Sequence, residues 1–180
     1  IAQVLNEVRK NEETPPLSFL LTWVWAQMFG SSEVALRLVP LICGLLAIGL
    51  FTWFAQQNLP RRQAAIAGIT LTLAPLVTSF LMEARSYAPT LLLSVICLIA
   101  FENVYHNPLR LKAYLHYAII ATTLFLTSYF SVSLLLAHNL IWLIALIRNP
   151  EQRARRTLLW ATTQVAVFAM IGLWVPAMFY

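Results

Sequence analysis

Long apolar runs separated by short polar turns dominate the pattern along this chain. Runs of bilayer-crossing length, roughly 17 to 25 residues, cover 34–57, 63–82, 86–104 and 157–178. They lack the alternation of polar and apolar positions that membrane β-strands show. The glycines and prolines inside them are compatible with membrane helices, where neighbouring groups satisfy the freed backbone. The pattern therefore predicts membrane-spanning α-helices.

A further apolar run, 114–147, is too long for one ordinary crossing, and its polar interruption is "LTSYFSVS" at 126–133. We split it there into two short helices. The positive-inside rule supports the split, because lysine and arginine accumulate in cytoplasmic loops. Two crossings then separate each basic loop from the next, so that all three face the cytoplasm. The basic residues of these loops are Arg61, Arg62, Arg110, Lys112, Arg148, Arg153, Arg155 and Arg156.

The remaining apolar segment, 15–30, is short for a crossing. Pro15 and Pro16 are typical of a helix start, and Gly30 is typical of a helix end. Tryptophans at 23 and 25 favour the headgroup level of a bilayer. We predict an interfacial or re-entrant helix at 15–30, after an outer-side segment at 1–14. If 15–30 spanned the membrane instead, that segment would face the cytoplasm.

These elements predict an all-α, polytopic transmembrane helix bundle of about six membrane helices, with one short interfacial helix. Residues 31–180 form the transmembrane domain. The composition agrees: 60% of residues are hydrophobic and 11% are charged, against about 25% charged in soluble domains. The net charge of +5 is explained by topology, so nucleic acid is not predicted as a partner. Cys43 and Cys97 lie inside apolar runs without ligand spacing and are expected to be packing residues.

The candidate chemistry lies in "EARSY" at 83–87, on the predicted outer side. A charge at the bilayer centre is costly, so Glu83 and Arg85 belong at the interface or in a watered cavity. If this segment is helical, Tyr87 shares a face with Glu83. A second acidic stretch, "NEETPP" at 11–16, precedes another proline-started helix on the same side. The two stretches predict one shared site; the alternative is that Glu83 and Arg85 cap a turn and contact lipid headgroups.

Several motifs follow one another in a fixed order: "PPLSFLL" at 15–21, "FGSSEVALRL" at 29–38, "PRR" at 60–62 and "EARSY" at 83–87. Over about residues 8–104 the chain resembles the GT-C class of lipid-linked-sugar glycosyltransferases, specifically the bacterial relatives of protein O-mannosyltransferases. The resemblance implies a multi-pass cell-membrane enzyme that acts on the extracytoplasmic side. Its donor would be a polyprenyl-phosphate-linked, mannose-like hexose. Its acceptor would be a hydroxyl of a glycan, lipid or protein, reached at the lipid bilayer.

The resemblance also implies roles for individual residues. Glu83 is the candidate catalytic carboxylate, and Glu13 is the candidate ligand of a divalent metal, whose use the sequence leaves open. An arginine suits a phosphate because its planar fork binds two oxygens. The residues implied to lie at the donor phosphate are Arg85, Tyr87, Glu13 and Glu12.

The chain also departs from the family pattern. It contains no aspartate, so the family's Asp-Glu signature is missing; we expect the main base upstream of Ile1 and an isolated fragment without activity. Met82 stands where relatives usually have glutamine, and Ser128 where they frequently have histidine. His138 and Asn139 lie in mid-span, where interhelical hydrogen bonds are a better explanation than catalysis.

Two other classes of protein compete with the enzyme. A transporter would place ionisable or unwound elements near the midplane, in matching positions of two halves. The predicted spans carry no Lys, Arg, Asp or Glu at their centres, and the chain shows no internal repeat. A non-catalytic structural membrane subunit is the other alternative.

Overall fold

The computed structural model describes residues 15, 17–82, 85–148 and 153–172 of the chain. Within these ranges 89% of the residues are helical and no strand occurs, which confirms the predicted all-α class. In chain order the described α-helices are α1 (Leu17–Phe29), α2 (Glu33–Asn58), α3 (Arg61–Leu73), α4 (Pro75–Met82), α5 (Tyr87–His106), α6 (Leu111–Phe125), α7 (Val132–Arg148) and α8 (Arg153–Gly172). A 3₁₀ turn, Tyr129–Ser131, directly precedes α7.

Three segments of the described chain are long and apolar enough to cross a bilayer: α2, α5, and Tyr129–Arg148, which joins the 3₁₀ turn to α7. The helix α1, with 13 residues, is a shorter apolar helix. The structure is thus consistent with a helical membrane bundle. The count of about six crossings stays a prediction.

The predicted single helix at 63–82 is wrong in one respect, because the structure divides it at Ala74 into α3 and α4. Pro75 has no N–H to donate to the carbonyl of Leu71. The amide of Ala74 donates to that carbonyl instead, at 3.4 Å, and α3 ends there. The run therefore forms a 13-residue helix followed by an 8-residue helix.

The predicted break in the long run 114–147 is confirmed, because α6 ends at Phe125 and the chain turns before α7 begins. The amide of Ser128 donates to the carbonyl of Leu124 at 3.0 Å, which closes the end of α6. Ser128 itself is extended, with φ −158° and ψ 126°. A helix cannot continue through extended backbone, so the polar interruption separates two helices.

The helices α6 and α7 pack antiparallel to each other. The ring of Tyr114 lies 6.1 Å from that of Trp142, and the hydroxyl of Tyr117 contacts His138. The residue nearer the end of α6 therefore pairs with the residue nearer the start of α7, as in antiparallel helices. The helix α8 then runs antiparallel to α7, because Asn139 contacts Trp160 and Trp142 faces Arg156. Together with α5, these helices enclose the main core, which includes the fully buried Cys97.

The N-terminal part consists of α1 to α4. Gly30 ends α1 with a φ of +86°, a left-handed conformation that favours glycine. Ser32 then caps α2, its hydroxyl accepting from the amide of Ala35 at 3.3 Å. The helices α2 and α3 form an antiparallel hairpin around Leu59 and Pro60, in which Gly68 lies against Thr52.

Close packing at Gly68 generates a prediction for this hairpin. A Cβ at Gly68 would lie 2.7 Å from Oγ1 of Thr52, whereas a Cβ at Gly49 would meet nothing within 4 Å. We expect Gly68→Val to lower the free energy of unfolding by about 1–3 kcal/mol through overpacking. Thermal unfolding of the full chain in detergent measures the effect. The same substitution at Gly49 should change stability by less than about 0.5 kcal/mol, and equal losses at both sites would contradict the packing at Gly68.

Candidate functional site

The turn between α4 and α5 carries Arg85. Its side chain is exposed, and its guanidinium carbon lies 5.4 Å from the centre of the Tyr87 ring. This distance is within the range of a cation–π contact. Tyr87, half-buried, is the first residue of α5. A cation and an aromatic ring are therefore held together at the start of this helix.

The first turn of α5 is fixed in the bundle. Ala88 and Pro89 are buried. Pro89 is tolerated there because the first N–H groups of a helix have no intrahelical partner. The carbonyl of Ser86 accepts two hydrogen bonds from Thr90, one from its amide at 2.9 Å and one from its hydroxyl at 2.7 Å. The prediction that Pro89 starts the helix is wrong, because α5 begins two residues earlier, at Tyr87, and Pro89 lies within its first turn.

The start of α1 is attached to the end of α6. The amide of Leu17 donates to the carbonyl of Leu126 at 3.2 Å, across more than 100 residues of sequence. Pro15 is buried, and the buried hydroxyl of Ser18 donates to its carbonyl at 3.4 Å. The chain that follows "NEET" therefore enters the fold at the end of α6.

The Arg85 turn and the start of α1 lie at the same end of the bundle. The helices α5 and α6 are joined by a short turn at 107–110, and the rings of Phe101 and Tyr117 lie 6.1 Å apart. The two helices are therefore antiparallel, so the start of α5 and the end of α6 face the same way. Glu12, Glu13 and Glu83 lie outside the described residues, and their meeting with Arg85 in one pocket stays a prediction.

Sequence reasoning missed a buried polar turn at this end. Thr127, Ser128 and Ser131 are all less than a tenth exposed. The hydroxyl of Thr127 donates to the carbonyl of Thr123 at 2.8 Å, and that of Ser131 donates to the carbonyl of Ser128 at 2.7 Å. The polar interruption at 126–133 was the available signal: it predicted a helix break, and its hydroxyls also satisfy backbone carbonyls within the buried turn.

His138 lies in the middle of the bundle and is 1% exposed. Its Nδ1 lies 3.2 Å from the hydroxyl of Tyr117. Its ring stacks on Phe101 with an interplanar angle of 1° and a centroid distance of 4.3 Å. These contacts join α5, α6 and α7 at one level, which confirms the predicted interhelical role of His138.

Asn139 continues this polar layer toward α8. Its side-chain oxygen accepts from the indole N–H of Trp160 at 2.9 Å, and its amide nitrogen lies 3.4 Å from the side-chain oxygen of Gln164. The predicted interhelical hydrogen bond of Asn139 is therefore confirmed. Hydrogen bonds of this kind replace the hydrophobic effect as a source of helix–helix specificity where lipid surrounds the bundle.

The described residues do not provide a metal site. Among them no three His, Cys, Asp or Glu side chains form a group that could hold a metal ion. The predicted ligand, Glu13, lies outside these residues. We therefore derive no step of the chemistry through a metal.

Apolar helices long enough to cross a bilayer, with an exposed arginine beside a half-buried tyrosine at one end, are consistent with a helical membrane protein. The family model described as dolichyl-phosphate-mannose-protein mannosyltransferase matches residues 13–176. The chain belongs to this family, whose members are membrane glycosyltransferases of the mannosyltransferase type. The predicted family is thereby confirmed. No curated protein and no solved structure matches the chain.

The polar layer around His138 generates a stability prediction. Tyr117→Phe keeps the ring but removes the hydroxyl at Nδ1 of His138, so we expect a loss of about 0.6–1.7 kcal/mol in unfolding free energy. Reversible unfolding of the full chain in mixed micelles measures it. Tyr105→Phe is the matched control, because Tyr105 lies on α5 and is 38% exposed; a loss as large there would contradict the assigned role of Tyr117.

Proposed function

We propose that the chain forms part of a membrane glycosyltransferase that moves a mannose-like hexose from a polyprenyl-phosphate donor to an acceptor hydroxyl. The observation that carries the proposal is the family match, which extends over residues 13–176 and therefore includes both ends of the helical bundle. The acceptor hydroxyl belongs to a glycan, a lipid or a protein.

Arg85 is the residue proposed to hold the phosphate of the donor. Its guanidinium is exposed, and no described carboxylate forms an ion pair with it. The ring of Tyr87 beside it favours one placement of the planar fork. A guanidinium so placed can donate two hydrogen bonds to phosphate oxygens and stabilise the negative charge that grows on them.

The proposed reaction is a displacement at the anomeric carbon. A carboxylate removes the proton of the acceptor hydroxyl, whose oxygen forms a bond to the anomeric carbon. The bond between that carbon and the phosphate oxygen breaks, and the lipid phosphate leaves with its electron pair toward Arg85. Attack opposite the leaving group inverts the configuration. Within this chain Glu83 is a candidate catalytic carboxylate and is not assigned as the main base. Glu12 and Glu13 are proposed to lie near the donor phosphate, and a metal held through Glu13 stays a prediction.

The proposed site faces the extracytoplasmic side of the cell membrane. Eight of the twelve basic residues lie in or next to the turns between α2 and α3, between α5 and α6, and between α7 and α8. The turn between α5 and α6 lies at the opposite end of α5 from Arg85. Cytoplasmic loops collect lysine and arginine, so the positive-inside rule supports an outward-facing Arg85 in a multi-pass protein.

The proposal predicts the effect of Arg85→Lys in the full-length protein. Lysine keeps the charge but loses the bidentate fork, so we expect sugar transfer to fall at least about tenfold, or about 1.4 kcal/mol of transition-state stabilisation. The assay follows a labelled hexose from polyprenyl phosphate to acceptor in membranes with equal amounts of inserted protein.

Arg37→Lys is the matched control for this substitution. Arg37 is an exposed arginine near the start of α2, and it forms an ion pair with Glu33 at 2.7 Å. Lysine preserves that pair, so transfer should stay within about twofold of the unchanged protein. Unchanged transfer by the Arg85→Lys protein would remove Arg85 from the site.

A further inference from the structure

Basic residues from three helices collect at the end of the bundle opposite Arg85. They lie on the turn before α6 and at its start, at the end of α7, and in the first turn of α8. The hydroxyl of Tyr114 donates to the carbonyl of Pro108 at 2.9 Å, and its ring lies edge-on to Trp142 at 6.1 Å. These contacts hold the turn at 107–110 against α6, and α6 against α7. The basic residues are Arg110, Lys112, Arg148, Arg155 and Arg156, which we call the basic end.

Arg156 differs from the others because it is only 8% exposed. Its guanidinium carbon lies 5.3 Å from the centre of the Trp142 ring, and Trp142 stacks on Trp160 at 4.9 Å. Its buried Nε has no hydrogen-bond partner. A cation–π contact offsets part of the desolvation of a buried cation, but it leaves the charge of Arg156 without an anion and its Nε without an acceptor.

The described part of the protein supplies no anion for the basic end. The acidic residue in the last turns of α5, Glu102, already accepts from His106 at 2.8 Å. The other ion pair among the described residues joins Glu33 to Arg37, near the start of α2. The buried Arg156, at the same end of the bundle as the exposed basic side chains, therefore lacks a counter-charge among the described residues.

Apolar side chains directly adjoin the basic end. Leu111 and Leu115 on α6, Ile147 on α7 and Leu158 on α8 are each more than half exposed. A ligand that matches both surfaces has an anionic head and apolar tails. A soluble anion would contact the cations alone.

We propose that the basic end binds the phosphodiester headgroup of an anionic phospholipid, with Arg156 as the buried anchor and the adjoining leucines and isoleucine against the acyl chains. Guanidinium groups recognise phosphate oxygens through paired hydrogen bonds, and basic pockets between membrane helices bind anionic lipid headgroups. This site is separate from the proposed donor site at the other end of α5. It goes beyond sugar transfer and does not depend on it.

Lipid retention by the purified full chain tests the proposal. The chain is titrated with phosphatidylglycerol or phosphatidylcholine of the same acyl composition in neutral detergent, and native mass spectrometry measures the bound fraction. We expect phosphatidylglycerol to be preferred, and Arg156→Gln to weaken its binding about fivefold, the contribution of about one basic residue near a lipid surface. Phosphatidylcholine binding should not change.

Arg62→Gln is the matched control, because Arg62 is an exposed arginine in the first turn of α3 and forms none of the described cation–π contacts. It removes the same charge and should change phosphatidylglycerol binding less than about twofold. Equal losses for the two variants would mean diffuse attraction to basic turns and would overturn the proposed site.

A second variant and a competition experiment test the role of the guanidinium and the identity of the ligand. Arg156→Lys retains the buried charge but loses the planar fork, so it should also lose about fivefold in phosphatidylglycerol binding; it carries the test if Arg156→Gln does not fold. Inorganic phosphate, added at the concentration of the lipid, should not displace phosphatidylglycerol. Displacement by phosphate would reject a lipid headgroup as the ligand, and full binding by Arg156→Lys would reject the guanidinium of Arg156 as its anchor.

Discussion

The stack of Phe101 on His138, with the Tyr117 hydroxyl at the same imidazole, is the contact on which the arrangement of the bundle depends. It joins α5, α6 and α7 at one level. In a membrane, lipid tails cover apolar faces as well as a neighbouring helix does, so apolar packing alone leaves the register of helices weakly determined. The imidazole of His138 needs an aromatic ring on its face and a hydroxyl at its Nδ1, and few other helix registers would supply both. The two ends of the bundle therefore have a fixed separation along α5.

Aromatic side chains connect this central layer to the basic end. Trp160 packs against Tyr117 at 5.2 Å and against Trp142 at 4.9 Å, and Trp142 lies under the guanidinium of Arg156. Large rigid rings contribute much buried area for few rotatable bonds. The same helices therefore support two chemically different ends: an exposed arginine beside a tyrosine at one, and a buried arginine on stacked indoles at the other.

The sequence allowed the helices and the family to be predicted, because apolar runs and short ordered motifs are local features. The division of α3 from α4 was missed because a proline is compatible with a membrane helix in some settings and ends it in others; the choice depends on neighbours that are not local. The sequence predicted that His138 and Asn139 form interhelical hydrogen bonds, but it did not predict their partners, Tyr117 and Trp160. Partners 21 residues away depend on helix register, which periodicity does not determine. The same holds for the burial of Arg156.

The hydrogen bond from Leu17 to Leu126 has a consequence for how this chain can vary in length. It fixes the first residue of α1 to a distant carbonyl, while Gly30 and Ser32 fix the passage into α2. Extra residues inserted before Pro15 would leave both anchors in place and would only lengthen the segment that precedes α1. An extra residue between Phe29 and Glu33 would rotate one helix against the other. Tolerance to insertion should therefore differ sharply across these thirty residues.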